Sequence, residues 1–334
     1  MLYIAGFIVC AVVIFFAGTR LSYYGDLLAE KMGISKGWIG LILMASVTSL
    51  PELMVGISSS AIIQEADLAV GDILGSCAFN LGLLSLLDAL TSKQKPLFSI
   101  ASSSHMLNAG LGIISITLVG FALFLPYDYP VVPWMGMSSI IFIAVYFISI
   151  RIIYANEKRQ LADPVSRSPG ESTVVLSRNR IVLRYCLYAL IIVTAALALP
   201  YFAGNMAVIT GLGKSFVGTF FLAVSTSLPE ISVSIAAVRR GSVDLSVGNL
   251  MGSNIFNVLI LAIDDIFYTK GLLLKDASDF HIISVLSTII MSAIVIIGLS
   301  LRTKGKKFFL ALDAAAIFLV YIISLAFIYH FTHK

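Results

Sequence analysis

The amino-acid sequence predicts an all-α membrane protein of ten transmembrane helices, built as two inverted-topology five-helix repeats. Three observations carry this expectation. The 334 residues are 59% hydrophobic and 12% charged, with a mean hydropathy of +0.99; a soluble domain is about 45–50% apolar and roughly 25% charged. The hexapeptide VTSLPE at 47–52 returns as STSLPE at 225–230. Lysine and arginine fall almost wholly on one side of the expected path.

Apolar stretches of about 20 residues are long enough to span a bilayer as helix. They occupy 2–30, 37–63, 68–90, 104–125, 131–154, 182–203, 212–238, 243–267, 280–301 and 308–329. The first is not read as a signal peptide. Such a signal carries positive charge ahead of its apolar run, and here Arg20 is the first basic residue. The division is a first transmembrane repeat (1–154), a cytoplasmic connecting loop (155–180) and a second repeat (181–334).

Orientation follows from the basic residues, which favour cytoplasmic connections. An even number of spans puts both termini on one side. With that side outside, the inner connections hold seventeen basic residues, among them Lys36, Lys93, Arg151, Arg178, Arg239, Arg302 and Lys306. The outer side holds four: Lys214, Lys270, Lys275 and Lys334. The net charge of +4 therefore reflects topology and implies no nucleic-acid partner.

The repeat is longer than its hexapeptide. KGWIGLILMASVTSLPE (36–52) aligns with KSFVGTFFLAVSTSLPE (214–230) at an offset of 178. DLAVGDILGSCAFN (67–80) aligns with DLSVGNLMGSNIFN (244–257) at 177, and Asp88 pairs with Asp265 further on. With an odd number of spans in each half, the second half enters the membrane from the opposite side. A shared site is then expected near the midplane.

Glu52 and Glu230 each lie about sixteen residues into a span, near mid-depth at a rise of about 1.5 Å per residue. An acid there costs about 2.5–3.5 kcal/mol on insertion scales, and intramembrane acids commonly line an ion path. Pro51 and Pro229 remove a backbone donor and disturb the preceding turn. Carbonyls of that turn, including that of Ala45, can then point to a ligand. Thr48 and Glu52 are four apart and share a helix face, as do Ser76 and Asn80, and Ser253 and Asn257. Gly71, Gly75, Gly248 and Gly252 read as packing residues.

These donors are all oxygens, the preference of hard cations such as calcium. Soft metals would want cysteine or histidine. Cys10, Cys77 and Cys186 sit in separate spans with no ligand spacing, and read as packed side chains. His105, His281, His330 and His333 fall near segment ends and read as interfacial or solvated. An intramembrane protease would need paired aspartates, serine with histidine, or zinc. Asp72 has no second aspartate at its aligned position, Asn249. The chain is read as no enzyme, with no cofactor.

TSLPE twice and GSNIFN at 252–257 resemble the cation/calcium antiporter superfamily, sodium/calcium exchanger type, over nearly the whole chain. The resemblance implies sodium–calcium exchange by alternating access, with the first and sixth spans sliding past a core of spans 2, 3, 7 and 8. It also implies a ligand set. The side chains are Thr48, Ser49, Glu52, Ser76 and Asn80, with Thr226, Ser227, Glu230, Ser253 and Asn257. The carbonyls of Ala45 and Ala223 match backbone ligands. Calcium and sodium are the implied partners besides the lipid bilayer. The 155–180 connection is too short for the regulatory insertion of animal exchangers, which suggests a prokaryotic inner-membrane member. Oligomeric state is not legible.

The sequence also departs from the family pattern. Val47 and Ser225 replace the usual glycine, Cys77 replaces an asparagine, and Asn257 stands where potassium-dependent relatives carry aspartate. Asp72 reads equally as a third charge in the path or as part of a wet vestibule. A proton-coupled exchanger of calcium or another divalent cation is the alternative, because either glutamate could take a proton when desolvated.

Overall fold

The computed structural model describes residues 2–31, 45–92, 94–125, 129–161, 177–303, 305–306 and 308–332. Its long helices are α1 (Leu2–Lys31), α2 (Leu50–Ile57), α3 (Ala66–Leu90), α4 (His105–Phe124), α5 (Met137–Leu161), α6 (Arg178–Thr210), α7 (Leu228–Arg239), α8 (Val243–Phe267), α9 (His281–Leu301) and α10 (Leu312–Thr332). Among the described residues, all but α2 and α7 are long and apolar enough to cross a membrane. The stretch Lys214–Thr226 and α7 meet at a 47° bend and count as a ninth if taken as one span. The apolar helix Leu50–Ile63 is shorter; the expected start of its segment, 37–44, lies outside the described residues. This is a multi-pass integral membrane protein.

Helices α3 and α8 form the centre. Their apolar windows are 72% and 67% buried, against 28% and 22% for α1 and α6. The low values belong to helices whose apolar side chains face outward, as lipid contact requires. α1 and α6 make the most extensive helix pair. They pack Phe7, Ile14, Leu199 and Ala203 against Val55, Leu68, Val217 and Leu222. At 33 residues and about 1.5 Å per residue, α6 outreaches a hydrocarbon core of about 30 Å. It begins with exposed Arg178 and Arg180 and ends where Gly211 takes φ +73°, the left-handed stop that glycine allows.

Two expectations need correction at their edges. The span expected over 131–154 starts as a two-stranded antiparallel ribbon, β1 (Pro130–Val132) with β2 (Met135–Gly136), and the helix begins only at Met137. Pro130 and Pro133 explain this, since proline and the residue before it resist the helical region. The connection expected over 155–180 is helical at both ends, through Leu161 and from Arg178. Hydropathy marks where lipid contact ends, and a helix continues past it. Residues 162–176 lie outside the described set.

Equivalent positions in the two halves carry equivalent contacts. Asp88 at the end of α3 accepts the N–H groups of Leu97 and Ala311, each at 2.8 Å. Asp265 at the end of α8 accepts those of Leu273 at 2.9 Å and Gly136 at 3.0 Å, with the Ser139 hydroxyl at 2.5 Å. Each aspartate thus anchors the one-turn helix that follows it, Leu97–Ile100 or Leu273–Asp276. At the opposite helix ends, Asp67 Oδ1 accepts the Ser278 N–H at 2.7 Å and meets His281 Nε2 at 3.0 Å. Asp244 Oδ1 accepts the Ser102 N–H at 2.6 Å and meets His105 Nε2 at 3.1 Å. His105 and His281 are 4% and 1% exposed, so they are buried clamps between halves rather than interfacial groups.

Candidate functional site

Both TSLPE motifs break their helix in the same way. The turn 45–48 closes with Ser49 N–H donating to Ala45 O at 2.9 Å, and Ser227 N–H donates to Ala223 O at 3.1 Å. Ser49 (φ −85°, ψ 12°) and Ser227 (φ −84°, ψ 9°) leave the helical region, and α2 and α7 restart at Leu50 and Leu228. Pro51 and Pro229 fall in the first turns of the new helices, where a missing N–H costs nothing. The disturbance expected in the turn before each proline is therefore resolved as a helix restart at the serine. Glu52 and Glu230 also occupy first turns, where the positive end of the helix dipole favours an anion. The turns before the break end in carbonyls, which favour a cation.

The backbone ligands expected from the resemblance are engaged within their own turns. Ala45 O also accepts the Thr48 hydroxyl at 3.1 Å, and Ala223 O the Thr226 hydroxyl at 3.2 Å.

The motifs meet across the halves. Ser227 Oγ donates to Glu52 Oε1 at 2.9 Å, and Ser49 Oγ donates to Glu230 Oε1 at 3.3 Å. Ser76 Oγ lies 3.1 Å from Ser227 Oγ and 3.4 Å from Thr226 Oγ1. Thr226 Oγ1 also donates to Asp72 Oδ1 at 2.9 Å. Thr48 and Ser253 lie beside the Glu230 carboxylate, although Ser253 Oγ has no hydrogen-bond geometry to it. Glu52, Glu230 and Asp72 are 1%, 0% and 0% exposed. No ion pair joins Arg20, which is exposed, to either glutamate.

The amides on the flanking helices point their N–H groups away. Asn80 Nδ2 donates to Asn254 Oδ1 at 3.0 Å, and Asn254 Nδ2 donates to Cys77 O at 3.1 Å. Asn257 Nδ2 donates to Cys77 Sγ at 3.7 Å. Cys77 thus serves as an acceptor, where the repeat carries Asn254. What remains is a set of buried oxygens that accept nothing: Glu52 Oε2, Glu230 Oε2, Asp72 Oδ2, Asn80 Oδ1 and Asn257 Oδ1, with Ser253 Oγ also unpartnered. They come from α2, α3, α7 and α8. Buried polar atoms are nearly always satisfied, and a cluster of oxygens that includes three carboxylates suits a cation. Among the described residues no group of three or more His, Cys, Asp or Glu is placed to hold a metal ion. A cation would need the hydroxyls and amides beside the carboxylates.

Every sequence-predicted site residue lies in this region, on the two broken turns or the facing stretches of α3 and α8. Sequence reasoning missed Asn254, which orients Asn80. It also missed Asp264 on α8, buried at 0% exposure with neither oxygen bonded. Asp264 aligns with Leu87, so a search for matched polar residues passes over it. His105 and His281 were within reach: they stand 176 apart while Asp67 and Asp244 stand 177 apart. Of the three cysteines, Cys10 and Cys77 are buried but Cys186 is exposed, which corrects its reading as a packed side chain.

Comparison with known proteins gives the family and the fold. The sodium/calcium exchanger protein family matches residues 2–155 and 181–330. The inner membrane protein YrbG of Escherichia coli K12 is 28% identical over 258 residues, covering 76% of each chain. The sodium/calcium exchanger MaX1 of Methanosarcina acetivorans is 26% identical over 275 residues, covering 72% of this chain and 76% of its own. Among solved structures, the H+/Ca2+ exchanger CAX superposes with a TM-score of 0.74 at 17% identity, over 99% of this chain and 84% of that one. The sodium-calcium exchanger NCX_Mj superposes at 0.64 with 20% identity, over 97% and 98%. These likenesses establish the fold. By the extent of the family match, the chain belongs to the sodium/calcium exchanger protein family, within the cation/calcium antiporter superfamily.

Proposed function

We propose that this protein is a secondary-active antiporter that exchanges sodium for calcium by alternating access at one midplane site. In this reading ten spans form two inverted five-helix repeats (1–154 and 181–334), joined by a cytoplasmic connection (155–180). Both termini lie outside a prokaryotic inner membrane. Glu52 and Glu230 supply the charge. Thr48, Ser49, Ser76, Asn80, Thr226, Ser227, Ser253 and Asn257, with the carbonyls of Ala45 and Ala223, supply neutral oxygens.

The observation that carries the reading is reciprocal. Each glutamate takes one hydroxyl donor from the other half and leaves its second oxygen bare and buried. Two bare carboxylate charges in a water-poor interior are costly. A bound divalent ion, or two monovalent ions, would neutralise them. The empty site therefore resists occlusion and the loaded site permits it, which makes exchange easier than leak. Because the two broken turns belong to opposite halves, a shift of one half against the other changes which side reaches the ion. α1 and α6, paired with each other at the periphery, suit such a sliding element.

The test is calcium uptake into proteoliposomes under an outward sodium gradient, repeated with E52Q and E230Q. Robust uptake by both variants would refute the site. Proton-coupled exchange of calcium or another divalent cation is the second reading. It is favoured by Asp72, a third buried acid bonded directly to Thr226. Uptake driven by a pH gradient in sodium-free vesicles would select it.

A further inference from the structure

The amides of Asn80 and Asn257 are each held by the other half of the chain. The two asparagines stand 177 residues apart, and so do Cys77 and Asn254. Asn80 Nδ2 donates to Asn254 Oδ1 at 3.0 Å, and Asn257 Nδ2 donates to Cys77 Sγ at 3.7 Å. The pattern is two-fold but the acceptors are unequal. One is an amide oxygen; the other is a thiol sulfur, which accepts weakly. Asn254 Nδ2 in turn donates to Cys77 O at 3.1 Å, and Cys77 Sγ donates to Asn254 O at 3.9 Å. All four side chains are buried.

The chemistry of the acceptors decides how firmly each amide is aimed. A backbone carbonyl only accepts, so Cys77 O takes the NH2 group of Asn254 and leaves Asn254 Oδ1 for Asn80. Asn80 must then present its own NH2 group, and its Oδ1 is left bare. Asn257 is held less firmly. A thiol both donates and accepts and can therefore face either end of an amide, and a sulfur contact of 3.7 Å is a weak tether. Asn257 Oδ1 is nevertheless bare and buried. Cys77 also leaves space. A small cavity beside it is lined by Asn108, Gly112, Thr288 and Ser292 together with Asn254, and Thr288 Oγ1 has no partner. A larger side chain at position 77 has that space to enter.

We propose that Cys77 is a positioning residue that sets the cation specificity of the pocket: it leaves the Asn257 carbonyl free to follow the ion, while Asn254 holds the Asn80 carbonyl in place. This rests on the cation-binding reading of that pocket. Selection among hard cations depends on cavity size, ligand number and the flexibility of the oxygens. Rigid oxygens choose by size, and yielding ones choose less. One fixed and one yielding amide let the same pocket serve a single divalent ion or two monovalent ions, whose oxygens must lie in different places. Cys77 touches no ion in this arrangement and acts through Asn257.

The test is calorimetric titration of C77N, which copies the aligned residue, beside C77A, N254A and wild type. Calcium is compared with strontium, a larger ion of equal charge. C77N should bind calcium about three- to tenfold more tightly, the gain of one well-made hydrogen bond. Strontium should gain less, so the calcium-to-strontium affinity ratio rises. A residue that served packing alone would move the melting temperature and leave that ratio at its wild-type value; an unchanged ratio in C77N overturns the proposal. N254A should lose more calcium affinity than C77A, because it frees the firmly held amide. Equal losses also overturn it, and this comparison decides the matter if C77N does not fold. If the wild type binds neither ion, the cation-binding reading fails on its own. The S–H stretching band of Cys77, isolated by subtracting the infrared spectrum of C77A, then decides the positioning claim. It should shift in N257A, and no shift overturns the contact.

Discussion

Ser227 Oγ donates to Glu52 Oε1 at 2.9 Å across the two halves, while the matching bond from Ser49 to Glu230 is 3.3 Å long. The two-fold design of the site is thus unequal at its centre. Ser227 is also linked to Ser76 at 3.1 Å, and no corresponding contact ties Ser49. A hydrogen bond to a charged group is worth about 1.5–3 kcal/mol, and shorter bonds lie at the stronger end.

S227A is therefore expected to weaken calcium binding more than S49A, by roughly tenfold if the difference reaches about 1.4 kcal/mol. Calorimetric titration of the two variants side by side measures this. Equal losses would show that the inequality of the two bonds has no energetic consequence.

E52Q and E230Q should each reduce calcium affinity by two or more orders of magnitude. A unit charge at 4 Å contributes on the order of 4 kcal/mol per unit of ion charge at an effective dielectric of 20. The same variants should raise the melting temperature of ion-free protein, because each removes a buried, under-satisfied charge. Thermal unfolding in a chelator and in calcium checks both signs. The wild type should gain stability on calcium addition and the variants little.

Gly75 packs against the wide turn Val217–Leu222, and a Cβ there would stand 2.2 Å from Thr219 O and 2.7 Å from the Ala223 Cβ. G75A must push back the backbone that carries Thr226, at a cost of about 1–3 kcal/mol for overpacking. G110A and G112A, with nothing within 4 Å of the added carbon, should be neutral or stabilising by about 0.5–1 kcal/mol in helix. Melting temperatures of the three variants provide the comparison.

The His–Asp clamps hold helix ends and lie away from the oxygens proposed to bind the ion. D67A removes the acceptor for the Ser278 N–H and for His281, leaving buried donors unmet at about 1–3 kcal/mol. The expected outcome is lower stability with calcium affinity unchanged, and faster hydrogen exchange at Ser278. D244A should produce a smaller loss with the same sign at Ser102, because the Asp244 side chain is 60% exposed against 27% for Asp67.

The residues of the proposed site stood out in the sequence because polar residues in lipid are rare and the repeat marks them twice. Glu52 with Glu230, Ser76 with Ser253, and Asn80 with Asn257 all stand at one offset or its neighbour. Residues that break the repeat were harder to read. Asp264 faces Gly56 across more than two hundred positions, and neither residue is unusual alone. Helix limits were legible to a few residues where lipid contact ends the helix, and misread where Pro130 and Pro133 turned an apolar stretch into a ribbon.

By itself the sequence determined the membrane class, the positions of the apolar segments and the identity of the paired acids. These depend on hydropathy, helical rise and self-similarity, which are all properties of the chain as a line. Only the tertiary structure decided which carboxylate oxygen receives a donor and which is left bare. It alone turned His105 and His281 into buried clamps and set Asp264 against a glycine. The reason is physical: burial and hydrogen-bond satisfaction are settled between side chains far apart in sequence, and no local pattern encodes that distance.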